Sequence, residues 1–226
     1  MNVNTKKYLI DGPVGKIEVA VDTPDASRES GAAPRGIALV AHPHPLFGGT
    51  LHNKVVFHAM KALNALGMPV LRFNFRGAGL SAGAHDNGHG EQDDVRTALD
   101  WLDREFHLPL IFAGFSFGAA IGLRVACADQ RVSALIGLGT PVAEVDGRRY
   151  QFDFLSTCPK PKLFVSGERD HFSPTAQLKA QFASLSEPKK LVIIPAADHF
   201  FEGRLREMRD AVETWTRETL NTPSAL

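Results

Sequence analysis

Cysteine, charge bias and long apolar runs are all scarce in this 226-residue sequence, and each shortage removes a class of protein. Two cysteines, Cys127 and Cys158, are too few for the disulfide framework of a small secreted scaffold. A reducing compartment, the cytoplasm, is the simpler expectation. Lys plus Arg equals Asp plus Glu at 25 each, and the pI is near 7.1. Nucleic acid and anionic membranes both call for a basic face, so neither is expected as a partner. No stretch approaches the roughly 18 apolar residues of a membrane span. Residues 1–9 are polar and hold no apolar run of signal-peptide length. What remains is an ordinary globular composition, 44% hydrophobic and 22% charged. The length suits one compact α/β domain over residues 1–226, large enough to cover a sheet on both faces.

Short apolar runs alternate with helical segments. Strands are expected at 15–21, 36–41, 69–75, 108–115, 134–139, 162–166 and 190–195. Helices are expected at 53–66, 92–106, 117–129, 175–185 and 204–220, the first stopping at Gly67. A polar turn at 27–34 and a frayed tail from Asn221 complete the chain, with no internal repeat. Continuous apolar strands separated by helices imply a mostly parallel sheet with helices on both faces. In such sheets ligands bind beyond the carboxyl ends of the strands, so chemistry is sought just after each one.

After the strand at 108–115 stands Gly114-Phe115-Ser116-Phe117-Gly118, a G-x-S-x-G pattern. It needs a sharp strand-to-helix turn with the serine at its tip, and flanking glycines permit that close approach. The pattern alone is weak, arising by chance in about one chain in ten of this length. Indeed Gly79-Leu80-Ser81-Ala82-Gly83 matches it too. Ser81 lies several residues past its strand in a glycine-rich loop with no helix starting there, which makes it a surface-loop serine. Ser116, between strand and helix, is the candidate nucleophile.

A serine hydroxyl needs a base to take its proton. His199 follows the last strand and is the candidate. The imidazole in turn needs a carboxylate to hold its tautomer. Glu168 and Asp170 both follow the strand at 162–166; Asp170, farther into the loop, is placed to reach His199. Ser116, Asp170 and His199 occur in the chain order expected of hydrolases with this elbow. An oxyanion hole would take one backbone N–H from Phe117 and another from the loop 42–49. Pro43 and Pro45 have no N–H, leaving His44, Leu46 and Phe47, with Leu46 favoured. His42 and His44 have metal-like spacing, but no third ligand follows closely. They are expected to bond loop backbone and pack beside the site, with no metal and no cofactor.

The segments HPHPLFGGT, RFNFRGAGLSAG, GFSFG, GERD and ADHFF together resemble the small bacterial α/β-hydrolases described as dienelactone-hydrolase-like serine hydrolases. The likeness spans residues 36–220. It implies the α/β-hydrolase fold, the triad Ser116, Asp170 and His199, and an oxyanion loop at 42–49. Dienelactone hydrolases proper carry a cysteine nucleophile, so their substrate is not carried over.

The reading is therefore a carboxylesterase-type enzyme cleaving small or short-chain esters through an acyl-serine. A thioesterase, peptidase or acyltransferase with the same triad is the alternative, as is a non-catalytic binding protein on this fold. Only about twenty residues, 140–158, separate two strands where many such folds insert a lid, which allows a short helix or loop but no large cap. Phe47, Phe115, Phe117, Phe152, Phe154, Phe200 and Phe201 are candidate apolar walls, fewer than half of them expected to serve. Phe47, Phe115 and Phe200 are the main substrate-binding candidates. A monomer or homodimer is expected, with Trp215 and Leu220 on the last helix either core or interface.

Overall fold

The computed structural model describes residues 4–24, 34–144 and 147–221. The turn expected at 27–34 falls outside these residues except for Pro34, as does the tail beyond Asn221. Eight strands and five α-helices follow one another along the chain: β1 (Asn4–Gly12), β2 (Gly15–Thr23), β3 (Ile37–Ala41), α1 (Lys54–Asn64), β4 (Val70–Phe73), α2 (Gly90–Phe106), β5 (Leu110–Phe115), α3 (Phe117–Ala128), β6 (Val132–Leu138), β7 (Lys162–Gly167), α4 (Thr175–Ala183), β8 (Lys189–Ile194) and α5 (Leu205–Leu220). They build one sheet in the order β1-β2-β4-β3-β5-β6-β7-β8. β1 and β2 are antiparallel to each other and β2 to β4; every other pairing is parallel.

Why the central strands read as unbroken apolar runs is plain from their sides. Ile37, Leu39 and Ala41 of β3 face one core layer, with Val95 and Leu99 of α2 and Leu123 of α3. Ala38 and Val40 face the other, with Val56 and Met60 of α1 and Val212 of α5. Both faces are dry, so alternation carries no polar residues. Each buried Val, Leu, Ile or Phe contributes about 1.5–3 kcal/mol over an exposed one. Trp215 and Leu220 belong to the second layer and are core.

All five helices stand where the sequence places them. The departure is β1, where the sequence shows only a polar N-terminus. Its residues are almost all exposed, and only Ile10 enters the core. β1 is held by its ladder to β2, an interaction between backbones that leaves no apolar signature in the side chains.

The sheet also buries two ion pairs that no apolar pattern announces. Arg72 of β4 grips Asp22 of β2 with two bonds, Nε to Oδ2 at 2.7 Å and Nη2 to Oδ1 at 3.0 Å. Its Nη1 donates to the Leu51 carbonyl at 2.6 Å, anchoring the loop that follows β3. Arg76, past the end of β4, pairs with Asp94 of α2 at 2.8 Å.

Among its described residues, the segment between β6 and β7 carries a 3-10 turn at Asp153–Ser156 and no α-helix. There is no large cap.

Candidate active site

Ser116 sits between β5 and α3 with φ 53° and ψ −116°, a region that side chains rarely occupy. Holding a non-glycine residue there costs about 1–3 kcal/mol. The surroundings enforce it. A Cβ at Gly118 would lie 2.5 Å from the His42 carbonyl oxygen, and one at Gly114 would lie 2.6 Å from the Ala119 nitrogen. Both neighbours are backbone and cannot yield, so the two flanking positions accept only glycine. Ser116 is thereby held half-buried at the carboxyl end of β5, a central strand of the sheet.

His199 lies 83 residues later, in the loop after β8, and its Nε2 is 2.9 Å from Ser116 Oγ. Its Nδ1 is 2.8 Å from Asp170 Oδ2, in the loop after β7. Asp170 is almost completely buried, and its other oxygen accepts the N–H groups of Phe172 at 2.9 Å and Ser173 at 3.2 Å. A carboxylate so held stays oriented toward the ring. Glu168, the other acid weighed, instead accepts the Ala196 N–H at 2.8 Å, and so ties the β7 loop to the β8 loop. The imidazole is caged by aromatics: Phe115 at 5.0 Å, Phe172 at 4.5 Å and Phe200 at 5.2 Å between ring centroids.

Ser116 and His199 open onto a cavity of about 450 Å³, lined mainly by apolar surface. Phe47, Phe117 and Phe200 line it, with Pro141, Tyr150 and Phe172. Phe115, expected as a substrate contact, requires correction. It is fully buried on the α1–α5 side of the sheet, behind the His199 ring. Strand alternation puts it on the same face as Ile111 and Ala113. Phe152 and Phe201 are likewise core.

The loop after β3 forms the facing wall. Its 3-10 turn, Pro45–Phe47, uses up most of the loop's N–H groups. Leu46 N–H, the favoured oxyanion donor, is directed at His44 Nδ1 at 3.3 Å. The N–H groups of Phe47 and Gly49 go to the His44 carbonyl, and that of Gly48 to the Pro45 carbonyl. The Leu46 assignment is therefore revised. Among the described residues, no acceptor engages the N–H of His44 or that of Phe117, the first residue of α3.

His42 is buried completely, with Nδ1 on the Pro43 carbonyl at 2.6 Å and Nε2 accepting the Phe75 N–H at 3.0 Å. Both ring nitrogens are thus spent on backbone, joining the ends of β3 and β4. Burial pushes its pKa from 6.5 down to about 4. The unfolded chain therefore takes up this proton first, and stability is lost as pH falls from about 6.5 to about 4. The expected slope is up to about 1.4 kcal/mol per pH unit for this one group. Urea midpoints at pH 7.0, 5.5 and 4.5 should fall in that order; a flat profile would contradict the burial of a neutral ring. Among the described residues no three His, Cys, Asp or Glu side chains gather as a metal site.

Ser81, the competing motif serine, also requires correction. It is not on the surface but buried, donating to the Asn74 carbonyl at 2.7 Å and accepting the Glu18 N–H at 2.9 Å. It bridges β2 to the segment after β4 and faces no cavity with His199.

Residues 38–224 match the family model for the alpha/beta hydrolase domain. The chain belongs to the α/β-hydrolase family. Among the family's solved structures, it is similar to an alpha-beta serine hydrolase homologue from Coxiella burnetii. That protein is 40% identical with a TM-score of 0.83, over 95% of this chain and 98% of the other. An a/b serine hydrolase without lid from Xanthomonas campestris is 35% identical with a TM-score of 0.84, over 98% of each chain. An uncharacterized protein of Rickettsia prowazekii is 37% identical, over 92% of this chain and 87% of its own. In this hydrolase the short segment that replaces a cap contributes Arg148 and Tyr150 to the cavity wall. Neither residue stands out in the sequence, because neither lies just after a strand nor in a motif. Phe172 could have been found, since it sits two residues past Asp170 in a loop already singled out. No helix of the described residues is long and apolar enough to cross a membrane.

Proposed function

We propose that this α/β-hydrolase is a carboxylesterase of small or short-chain esters, working through an acyl-serine on Ser116. The observation that carries the reading is the relay Ser116–His199–Asp170, with contacts of 2.9 and 2.8 Å, opening on an apolar cavity. His199 Nε2 takes the hydroxyl proton as Ser116 Oγ bonds to the ester carbonyl carbon, and the carbonyl electron pair moves onto oxygen. Asp170 holds the Nδ1–H and stabilises the imidazolium. The oxyanion is met by the N–H of Phe117 and, in our assignment, of His44, a loop amide that no acceptor engages among the described residues. Collapse expels the alcohol, which receives the proton from His199. Water, deprotonated by the same ring, then attacks the acyl-serine and releases the acid, restoring Ser116. No cofactor is required by these steps. Small esters are favoured because the site has no large cap and a cavity of only about 450 Å³.

The first test is labelling with a fluorophosphonate, followed by peptide mass mapping. Modification at Ser116, abolished in His199→Ala, is the expected result. Modification at Ser81 would contradict its structural assignment. Absence of labelling in folded protein would put a binding protein on the hydrolase fold in place of the enzyme.

A further inference from the structure

The walls of the cavity contain one permanently charged group among the described residues, the guanidinium of Arg148. No aspartate, glutamate or lysine lines the cavity with it. Arg148 is exposed, and its partners are neutral. Nη1 lies 3.0 Å from His44 Nε2, and Nη2 donates to Asn87 Oδ1 at 3.1 Å. Among the described residues it has no carboxylate partner. The nearest acids on the adjoining loop are already engaged. Glu91 is fully buried and accepts the N–H groups of Asp86 and Gly88, and Asp86 accepts that of Gly90. These bonds shape the loop that presents Asn87, so the support for Arg148 is built rather than incidental.

The His44 contact is a weak claim on the arginine. Burial, with His85 and Arg148 adding to it, pushes the His44 pKa down to about 4, so the ring is neutral at neutral pH. A neutral imidazole has one acceptor nitrogen. Arg148 needs it at Nε2, whereas the Leu46 N–H needs it at Nδ1. One of the two donors is always unsatisfied. An anion that drew Arg148 away would let His44 accept from Leu46 alone, and both donors would then be paired.

We propose that Arg148 selects esters that carry a second, ionised carboxylate, with the Phe47 and Phe200 wall taking the apolar part of the molecule. This deepens the esterase reading and rests on it. A guanidinium–carboxylate bond replaces two bonds to neutral acceptors and is the stronger by its charge. It is expected to raise kcat/KM about tenfold or more, mainly through KM.

The test compares matched esters on the full chain. One pair is 4-nitrophenyl hemiadipate against 4-nitrophenyl hexanoate, with the carboxylate on the acyl side. The other is 4-carboxyphenyl butyrate against phenyl butyrate, with it on the alcohol side. The expected result is an anionic-over-neutral ratio of kcat/KM above about ten in at least one pair, at low salt. Arg148→Gln should bring that ratio to about one, Arg148→Lys should keep part of it, and Arg148→Glu should invert it. Ratios near one in both pairs of the wild type would overturn the proposal, as would a ratio that survives Arg148→Gln. So would a uniform loss on every ester in Arg148→Gln, which marks a structural role. Turnover of none of the four esters would instead overturn the esterase reading, and this proposal with it.

Discussion

Ser116→Ala is expected to remove at least about a thousandfold of ester turnover while leaving thermal stability nearly unchanged. The first half follows from the proposed chemistry, since no other hydroxyl is within reach of His199 Nε2 in the described residues. The second follows from the backbone. Alanine has the same Cβ as serine, so it suffers the same strain at φ 53° and ψ −116° and neither gains nor loses by it. Ser116→Gly separates the two effects. It should be equally inactive, yet more stable by about 1 kcal/mol, because glycine occupies positive φ without steric cost. The increase is bounded by the extra freedom glycine has in the unfolded chain. Initial rates on a short-chain 4-nitrophenyl ester, with urea unfolding of both variants, check the pair. An alanine variant that kept a tenth of wild-type activity would remove Ser116 from the mechanism. A glycine variant markedly less stable than wild type would mean that the elbow is not strained.

The largest loss of stability is expected from Asp22→Ala. The carboxylate is fully buried and meets Arg72 at 2.7 Å, and it also accepts the Thr5 hydroxyl at 2.6 Å. Removing it leaves a guanidinium buried without its charge partner, at a cost of about 3–5 kcal/mol. Against a total stability of about 5–15 kcal/mol this is a large share. The midpoint of thermal unfolding should drop by about 10 °C. The loss is chiefly that of the orphaned charge, not of the pair's net contribution, because taking two ions out of water largely offsets their attraction. Hence Asp22→Leu with Arg72→Met should be clearly less damaging than Asp22→Ala alone. A double-mutant cycle by urea denaturation measures this coupling. Additive losses would show that the two side chains do not depend on each other. Arg72 also holds the Leu51 carbonyl at 2.6 Å, so the same variant should loosen the loop after β3 and lower kcat/KM as well.

Much of the architecture was legible because burial writes itself into local pattern. A parallel strand covered on both faces must be apolar throughout, and a helix packed on one side must repeat every three to four residues. The parallel strands β3 to β8 read as apolar runs, β2 reads by its alternation, and the helices read as the segments between them. Ser116, Asp170 and His199 were legible for a related reason: each follows a strand that can be recognised by itself. In the folded chain their side chains stand within 2.9 Å of one another in sequence of contact. β1 was missed because its place is set by a backbone ladder, which any side chains would satisfy.

What local pattern cannot carry is the identity of neighbours across the top of the sheet. Crossover connections bring together loops far apart in the chain, such as His44 and Arg148, 104 residues apart. Their meeting depends on strand order and on the length of each connection. Phe115 and Phe117 look equivalent on either side of Ser116. Strand alternation sends the first to the α1–α5 side, behind the His199 ring, and the start of α3 places the second in the opposite core layer, where it forms part of the cavity wall. The two motif serines are equally alike in sequence. One is buried among β2 and β4 backbone, and the other is held at the carboxyl end of β5 by a turn whose close contacts admit only glycine at Gly114 and Gly118. The sequence by itself determined the order of elements and the three loops that carry Ser116, Asp170 and His199, because those depend on residues near each other in the chain. Only the tertiary structure decided which side chains share a cavity, which amide of the β3 loop is left without an acceptor, and that an arginine stands among apolar walls. Those follow from packing between segments that the chain joins only after folding.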